Sequence, residues 1–163
     1  MTDEEYLAGR LTDAGHKLKQ RVYFEDTDFS GRVYHARYLH FMERGRSDFI
    51  RLLGIAHSEL ANSGLVFAVF RMEIDFLRPA TIDDVLTINT GTVAVGGARI
   101  ELRQEVARGL ETLVSAHVTI ALVRSDGRPA RLPEAIRTAF ASYSGADADG
   151  ASYAGRRHGS ERG

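Results

Sequence analysis

The clearest periodicity in the chain runs from Phe70 to Phe76. Phe70, Met72, Ile74 and Phe76 alternate with Arg71, Glu73 and Asp75, and a period of two places the apolar set on one face of a strand. Pro79, which has no N–H to give a ladder, ends it. Residues 85–95 predict the next strand and Gly96-Gly97 a two-residue hairpin turn. Ala98, Ile100 and Leu102, alternating with Arg99, Glu101 and Arg103, predict the strand after it. Arg108-Gly109 turns the chain again. Over 111–123, Val114, Ala116, Val118, Ile120 and Leu122 share one face, and Ser115, His117 and Thr119 the other. Asp126-Gly127 is a further turn, and Pro133 stands near the first turn of a short helix reaching Phe140.

A different period governs His35 to Leu53. Tyr38, Met42, Gly45, Phe49 and Leu52 recur at three or four residues, with Phe41 and Leu53 widening the stripe, while His40, Glu43, Arg44, Ser47 and Arg51 fall on another side. This is the pattern of an amphipathic helix, with Gly54 as its C-cap. Gly45 inside it costs about 1 kcal/mol against Ala, and a close approach to a sheet would account for it. Residues 57–63 read as a short helical or irregular piece, and 17–24 as a first strand.

One strand, one long helix and four strands joined by short turns give an α+β class: a five-stranded antiparallel sheet. Its apolar face supplies the partner that the helix stripe needs, and twist makes it curl around the helix. The expected organisation is a flexible lead-in over 1–15, one domain over 16–141, and a disordered tail over 142–163, where Gly, Ala, Ser, Asp and Arg dominate without apolar periodicity.

Composition narrows the chemistry. A chain of 163 residues fits one domain with a sizeable core. A net charge of −1 gives no global field toward nucleic acid or anionic membrane. With no cysteine, disulfides, thiolate metal sites and a cysteine nucleophile are excluded. Met1-Thr2-Asp3-Glu4-Glu5 lacks the basic and apolar regions of a signal peptide. No apolar run approaches the roughly 18 residues of a membrane span. The expectation is a cytoplasmic protein.

Candidate chemistry concentrates in residues 23–35, where Glu25, Asp26, Asp28, Gly31 and His35 stand between a strand pattern and the helix pattern. A helix start offers free N–H groups and the positive end of a dipole. A carboxylate beside it can attack a carbonyl those groups polarise, or activate water to do so. The plainer alternative is that the carboxylates cap the helix and shape a turn. Residues 26–31 also match the first half of an EF-hand loop, but its twelfth position is Arg37, where a bidentate Glu is required, and a strand pattern precedes it.

The run Arg-Val-Tyr-Phe-Glu-Asp-Thr-Asp-Phe-Ser-Gly-Arg-Val-Tyr-His-Ala-Arg-Tyr-Leu, residues 21–39, resembles the signature of hotdog-fold acyl-CoA thioesterases of the 4-hydroxybenzoyl-CoA thioesterase type. Phe-Met-Glu-Arg-Gly-Arg-Ser-Asp-Phe-Ile-Arg-Leu-Leu-Gly, residues 71–80 and residues 96–100 are similar to the YbgC-like subgroup associated with the Tol–Pal system. The resemblance covers about residues 17–135 and implies a hotdog fold. It implies that Asp28 is the catalytic carboxylate, as nucleophile or general base, and that Asp26 is structural, with Glu25 solvated or paired. It places the His35 N–H against the thioester carbonyl and gives the His35 side chain a catalytic part, against the alternative of a surface or cap histidine. Gly31 lets loop and helix converge. Tyr34 is placed beside the acyl group or in a core or interface, and Phe67 and Ala68 in an acyl pocket shared across a subunit boundary or in the core.

For the CoA phosphates, Arg99 after the Gly-Gly turn is the first choice, since a guanidinium suits phosphate. Aryl-CoA relatives concentrate basic residues at that turn, whereas Gly96, Gly97 and Ala98 stand here, which disfavours hydroxybenzoyl-CoA. Glu43, on the helix where another branch keeps its acid, is read as a partner of Arg46 or Ser47. His40 and His117 are read as surface or sheet residues, His57 as a cap of the short helix, and His16 and His158 as lying in mobile segments. No metal and no cofactor beyond the CoA of the substrate are expected. The expected partners are a second or further copies, as homodimer or homotetramer, and acyl carrier protein or phospholipid-synthesis enzymes. The expected activity is hydrolysis of a short-chain acyl-CoA. A hydratase or dehydratase on the same fold, and a non-enzymatic scaffold for acyl-carrier or phospholipid-synthesis proteins, are the competing readings.

Overall fold

The computed structural model describes Thr2 and residues 7–144. Six strands form one antiparallel sheet: β1 (Arg10–Thr12), β2 (Gly15–Arg21), β3 (Leu65–Phe76), β4 (Val85–Val95), β5 (Arg99–Arg108) and β6 (Glu111–Arg124), in spatial order β1-β2-β4-β5-β6-β3. The long helix α1 (Arg37–Leu52) packs across β2, β4 and β5. A short helix α2 (His57–Asn62) lies against β3, and α3 (Glu134–Ala141) against β4. This is the hotdog arrangement, an α+β sheet curled around a central helix.

The alternation of β5 and β6 translates into the core, whereas that of 70–76 does so only in part: Met72 and Ile74 are half-buried and Phe70 and Phe76 are exposed. In β6, Val114, Ala116, Val118, Ile120 and Leu122 are buried, and from α1 so are Tyr38, Phe41, Met42, Phe49 and Ile50. Each of the larger aliphatic and phenyl side chains among them contributes about 1.5–3 kcal/mol of burial. Gly45 is explained by contact: a Cβ there would stand 2.8 Å from Ile88 Cγ2 and 3.2 Å from Thr90 Oγ1, so helix and sheet approach more closely than a side chain allows. Gly54 ends α1 in the left-handed region at φ 85°. Its N–H reaches Arg51 O and the Ile55 N–H reaches Ile50 O, the paired bonds of a Schellman cap. Phe140 of α3 closes the core, its ring 5.7 Å from Phe49 and 6.1 Å from Phe67.

Several expectations shift. The sheet has six strands rather than five, because part of the expected lead-in, Arg10–Thr12, pairs with β2. The first strand ends at Arg21, and Phe24–Asp26 is a single 3-10 turn. The strand of the 70–76 pattern begins earlier, at Leu65, with a bulge between Val69 and Arg71 that a strict period of two does not foresee. The β4–β5 turn closes by the Gly96 N–H on Arg99 O at 2.8 Å, which centres it on Gly97-Ala98. His16, expected in a mobile segment, is a buried residue of β2. His57 is the first residue of α2 and gives no capping bond. Of the expected tail, Ser144 bridges to Thr92; residues 145–163, with His158, lie outside the described residues. Among the described residues no helix is long and apolar enough to cross a membrane.

Candidate active site

The loop before α1 is built by its own polar groups. Asp26 is buried; it accepts from the Tyr23 N–H at 2.8 Å through Oδ2 and from Arg37 Nε at 2.8 Å through Oδ1. Its carbonyl accepts the Tyr34 N–H at 2.9 Å. Asp26 thus ties the loop to the first residue of the helix, the structural part expected of it. It also offsets the Arg37 cation at a helix start that disfavours positive charge. Glu25 stays mostly exposed, 3.8 Å from Arg37. A bridge between Thr27 and Val33 closes the next segment, and the Val33 N–H binds Ala80 O at 2.9 Å. The Ala80 N–H in turn reaches the buried Tyr38 hydroxyl at 3.1 Å, so loop, helix and the segment after β3 are cross-tied.

Asp28 sits at the tip of this closed segment, fully solvent-facing. Its N–H binds Arg32 O at 2.9 Å and its carbonyl accepts the Gly31 N–H at 3.0 Å. Gly31 makes that turn at φ 77°, which a residue with a Cβ adopts only at a cost. The Asp28 carboxylate accepts the Ser30 N–H at 2.8 Å and the Ser30 hydroxyl at 2.5 Å, both on Oδ1. These bonds, the hydroxyl first, hold its pKa below the ordinary carboxylate value, so the group is ionised at neutral pH.

A cleft of about 350 Å³ opens here, lined by Asp28, Ser30, Arg32, Val33, His35, Tyr38 and Phe76–Pro79. The His35 ring lies 4.6 Å from Tyr34 and edge-on to Phe76 at 6.2 Å. Among the described residues its backbone N–H meets no acceptor, and the helix start, with Ala36 as N-cap, has no side-chain cap. A free donor, an ionised carboxylate and an apolar wall therefore share one opening. Such a set can polarise a carbonyl, deliver an oxygen nucleophile or base to it, and shelter a small apolar group. Among the described residues no three His, Asp or Glu side chains converge as a metal would need.

Asp28 and His35 line one cleft, with Gly31 shaping the turn and the Tyr34 ring tilted against that of His35. Phe67, Ala68 and Arg99 do not join them within one chain. Phe67 and Ala68 lie near the far end of β3, paired with Leu122 and Ala121. Phe67 contacts Phe140, and Arg99 lies over the Phe70 ring at 3.7 Å. Glu43 accepts from Ser47 at 2.6 Å, one of its two expected partners. His40 is exposed and His117 sits on the sheet 3.8 Å from Glu101. Sequence reasoning passed over Ser30, whose signal is a hydroxyl two residues after an Asp, the spacing of an Asx or ST turn. It also passed over Leu77 and Arg78, which reach the cleft only because β3 ends there.

The family model described as the thioesterase-like superfamily matches residues 22–140. Acyl-CoA thioesterase YbgC of Haemophilus influenzae is 38% identical over 132 residues, 80% of this chain and 97% of that protein. The crystal structure of a probable thioesterase from Bartonella henselae superposes with a TM-score of 0.70 at 51% identity, over 72% of this chain and 98% of the other. A thioesterase from Thermus thermophilus complexed with coenzyme A and Zn superposes with a TM-score of 0.67 at 31% identity, over 78% and 92% of the two chains. With the fold and with the loop–helix junction at residues 23–37, these matches establish that the chain belongs to the thioesterase-like superfamily.

Proposed function

We propose that the cleft at the start of α1 hydrolyses a short-chain acyl-CoA thioester, with Asp28 as nucleophile or general base and the His35 N–H as carbonyl donor. The activity itself, release of CoA and a free acid from an acyl-CoA, is that of the similar Haemophilus influenzae enzyme. The observation that supports this placement is the pairing of an ionised Asp28 with an unsatisfied His35 N–H on one opening. The thioester carbonyl oxygen takes the N–H, and one such donor is commonly worth about 3 kcal/mol in the barrier. The His35 side chain and Tyr34 line the entry for the acyl group. A thioester is already activated, so the reading calls for no metal or redox cofactor. The test is Asp28→Asn: wild-type turnover of short acyl-CoA by a folded variant would remove Asp28 from the mechanism.

The assembly is part of the same proposal. Among the described residues β3 is paired only with β6, and its other edge carries exposed Val66, Val69 and Phe70. A long apolar open edge is a template for a second strand. Phe67 and Phe76 are nine residues apart on β3, roughly 30 Å at about 3.3 Å per residue, too far to share one acyl pocket in one chain. Antiparallel pairing of two β3 strands about their middles sets the Phe67–Ala68 end of one copy against the Phe76 end of the other. It also brings Arg99, Arg124 and Arg131 toward that cleft, where guanidiniums suit CoA phosphates. Val69→Lys on that edge is expected to yield a monomer in sedimentation velocity with activity lost alongside. An unchanged mass would place the interface elsewhere.

A further inference from the structure

We infer that Ser30 is a positioning residue: by holding Oδ1 of Asp28 with its hydroxyl and its N–H, it makes Oδ2 the reacting oxygen. The inference rests on the assignment of Asp28 as the catalytic carboxylate.

An exposed aspartate has two equivalent oxygens and free rotation about Cβ–Cγ. Asp28 has neither freedom here. The Ser30 N–H at 2.8 Å and the Ser30 hydroxyl at 2.5 Å both fall on Oδ1, while the Arg32 N–H acts on the carboxylate more weakly and no side chain among the described residues bonds Oδ2. The turn that sets this geometry is closed by the backbone, through the Asp28 N–H on Arg32 O and the Gly31 N–H on Asp28 O. A carboxylate pinned at one oxygen presents the other in a fixed direction, so the rotational entropy is lost on folding rather than in the transition state.

Either route then runs through one atom. As nucleophile, Oδ2 forms a bond to the acyl carbon while the C–S bond breaks. The CoA thiolate leaves and takes a proton from solvent, and water then opens the anhydride. As base, Oδ2 takes a proton from the water whose oxygen bonds to the acyl carbon, and that proton passes to the departing sulfur. In both routes the donors on Oδ1 favour the ionised form and keep it ready at low pH, at the expense of basicity. The charged or titratable groups that share the cleft with Asp28 are Arg32 from the loop, His35 from the helix start, Tyr38 from α1 and Arg78 from the segment after β3. Arg78 is paired with Glu111 at 3.2 Å.

Ser30 is exposed, so Ser30→Ala leaves the core untouched and removes only the hydroxyl. The expected result is a kcat lower by roughly ten- to a hundredfold, with KM for a short acyl-CoA little changed. In a carbon-13 titration, the Asp28 carboxyl midpoint moves up toward the ordinary value of about 3.9. Ser30→Thr, which restores a hydroxyl at that position, is expected to return both readouts to near wild type. A Ser30→Ala enzyme with wild-type kcat and an unmoved Asp28 titration would overturn the inference, and so would a Ser30→Thr enzyme as impaired as Ser30→Ala. Asp28→Asn separates the two levels. If it is inactive while Ser30→Ala is normal, only the role of Ser30 falls; if it is active, the assignment of Asp28 falls first.

Discussion

At the Arg37 end of α1, polar groups face solvent and keep atoms unused: among the described residues Oδ2 of Asp28 has no side-chain partner and the His35 N–H no acceptor. Toward the Leu52 end the polar groups are sealed and, apart from His16 Nδ1, engaged. Asp48 is buried; its Oδ2 accepts the Gly9 N–H at 2.7 Å and His16 Nε2 at 2.6 Å, and Oδ1 pairs with Arg51. Two residues earlier, Arg46 donates to Gln104 at 3.0 Å, and Gln104 gives its amide hydrogens to Met42 O and Thr90 Oγ1. The first set can bind something that arrives; the second is spent on the fold. The contrast separates chemistry from architecture on a single helix. Buried polar groups must be satisfied internally or they cost stability, whereas the open end tolerates free donors because solvent can reach the cleft.

The largest test of this contrast is Asp28→Asn. At the open end it is expected to cost about 10²–10⁴ in kcat/KM, with the thermal midpoint essentially unchanged by calorimetry. An equal fall in stability would mean that Asp28 is structural after all. The mirror experiment is Asp48→Ala. It strands the Gly9 N–H and a buried histidine donor, and is expected to cost about 3 kcal/mol in urea unfolding, while the folded fraction keeps its kcat. Loss of turnover without loss of stability would join the two ends functionally.

The smallest effect concerns His16. Burial holds its pKa below the ordinary value, against the raising influence of Asp48. Nε2 meets the carboxylate, and Nδ1 is buried without a partner, so a second proton would have no acceptor. The unfolded chain therefore binds a proton that the native state refuses. Stability is fully present above the unfolded value of about 6.5 and falls as pH drops toward the folded value, by up to about 1.4 kcal/mol per pH unit. Denaturant unfolding at stepped pH should show this slope in wild type and lose it in His16→Gln. A slope that survives the substitution would assign it to other groups.

The open end was the more legible of the two. Asp28, Gly31 and His35 lie within one contiguous run whose residue types already suggest carbonyl chemistry, and local turns bring them together. Phe41, Met42 and Phe49, like Val114 to Leu122, were readable because burial imposes a period. The closed end was not readable: Arg46 and Asp48 fall on positions that charge alone marks as surface. Their partners His16 and Gln104 come from two different strands, and Thr90, which Gln104 bonds in turn, from a third. β1 also escaped notice, since three residues are too few to show a period.

The sequence by itself determined the long helix, the strand alternation, the glycine at the helix–sheet contact and the acidic loop at the helix start. Each of these depends on neighbours in the chain, through local backbone geometry and side-chain period. The tertiary structure alone decided which polar residues are sealed against one another, and that Phe67 and Ala68 on β3 and Arg99 on β5 stay outside the cleft of Asp28. Those relations join residues tens of positions apart, and a one-dimensional pattern carries no record of which strands become neighbours.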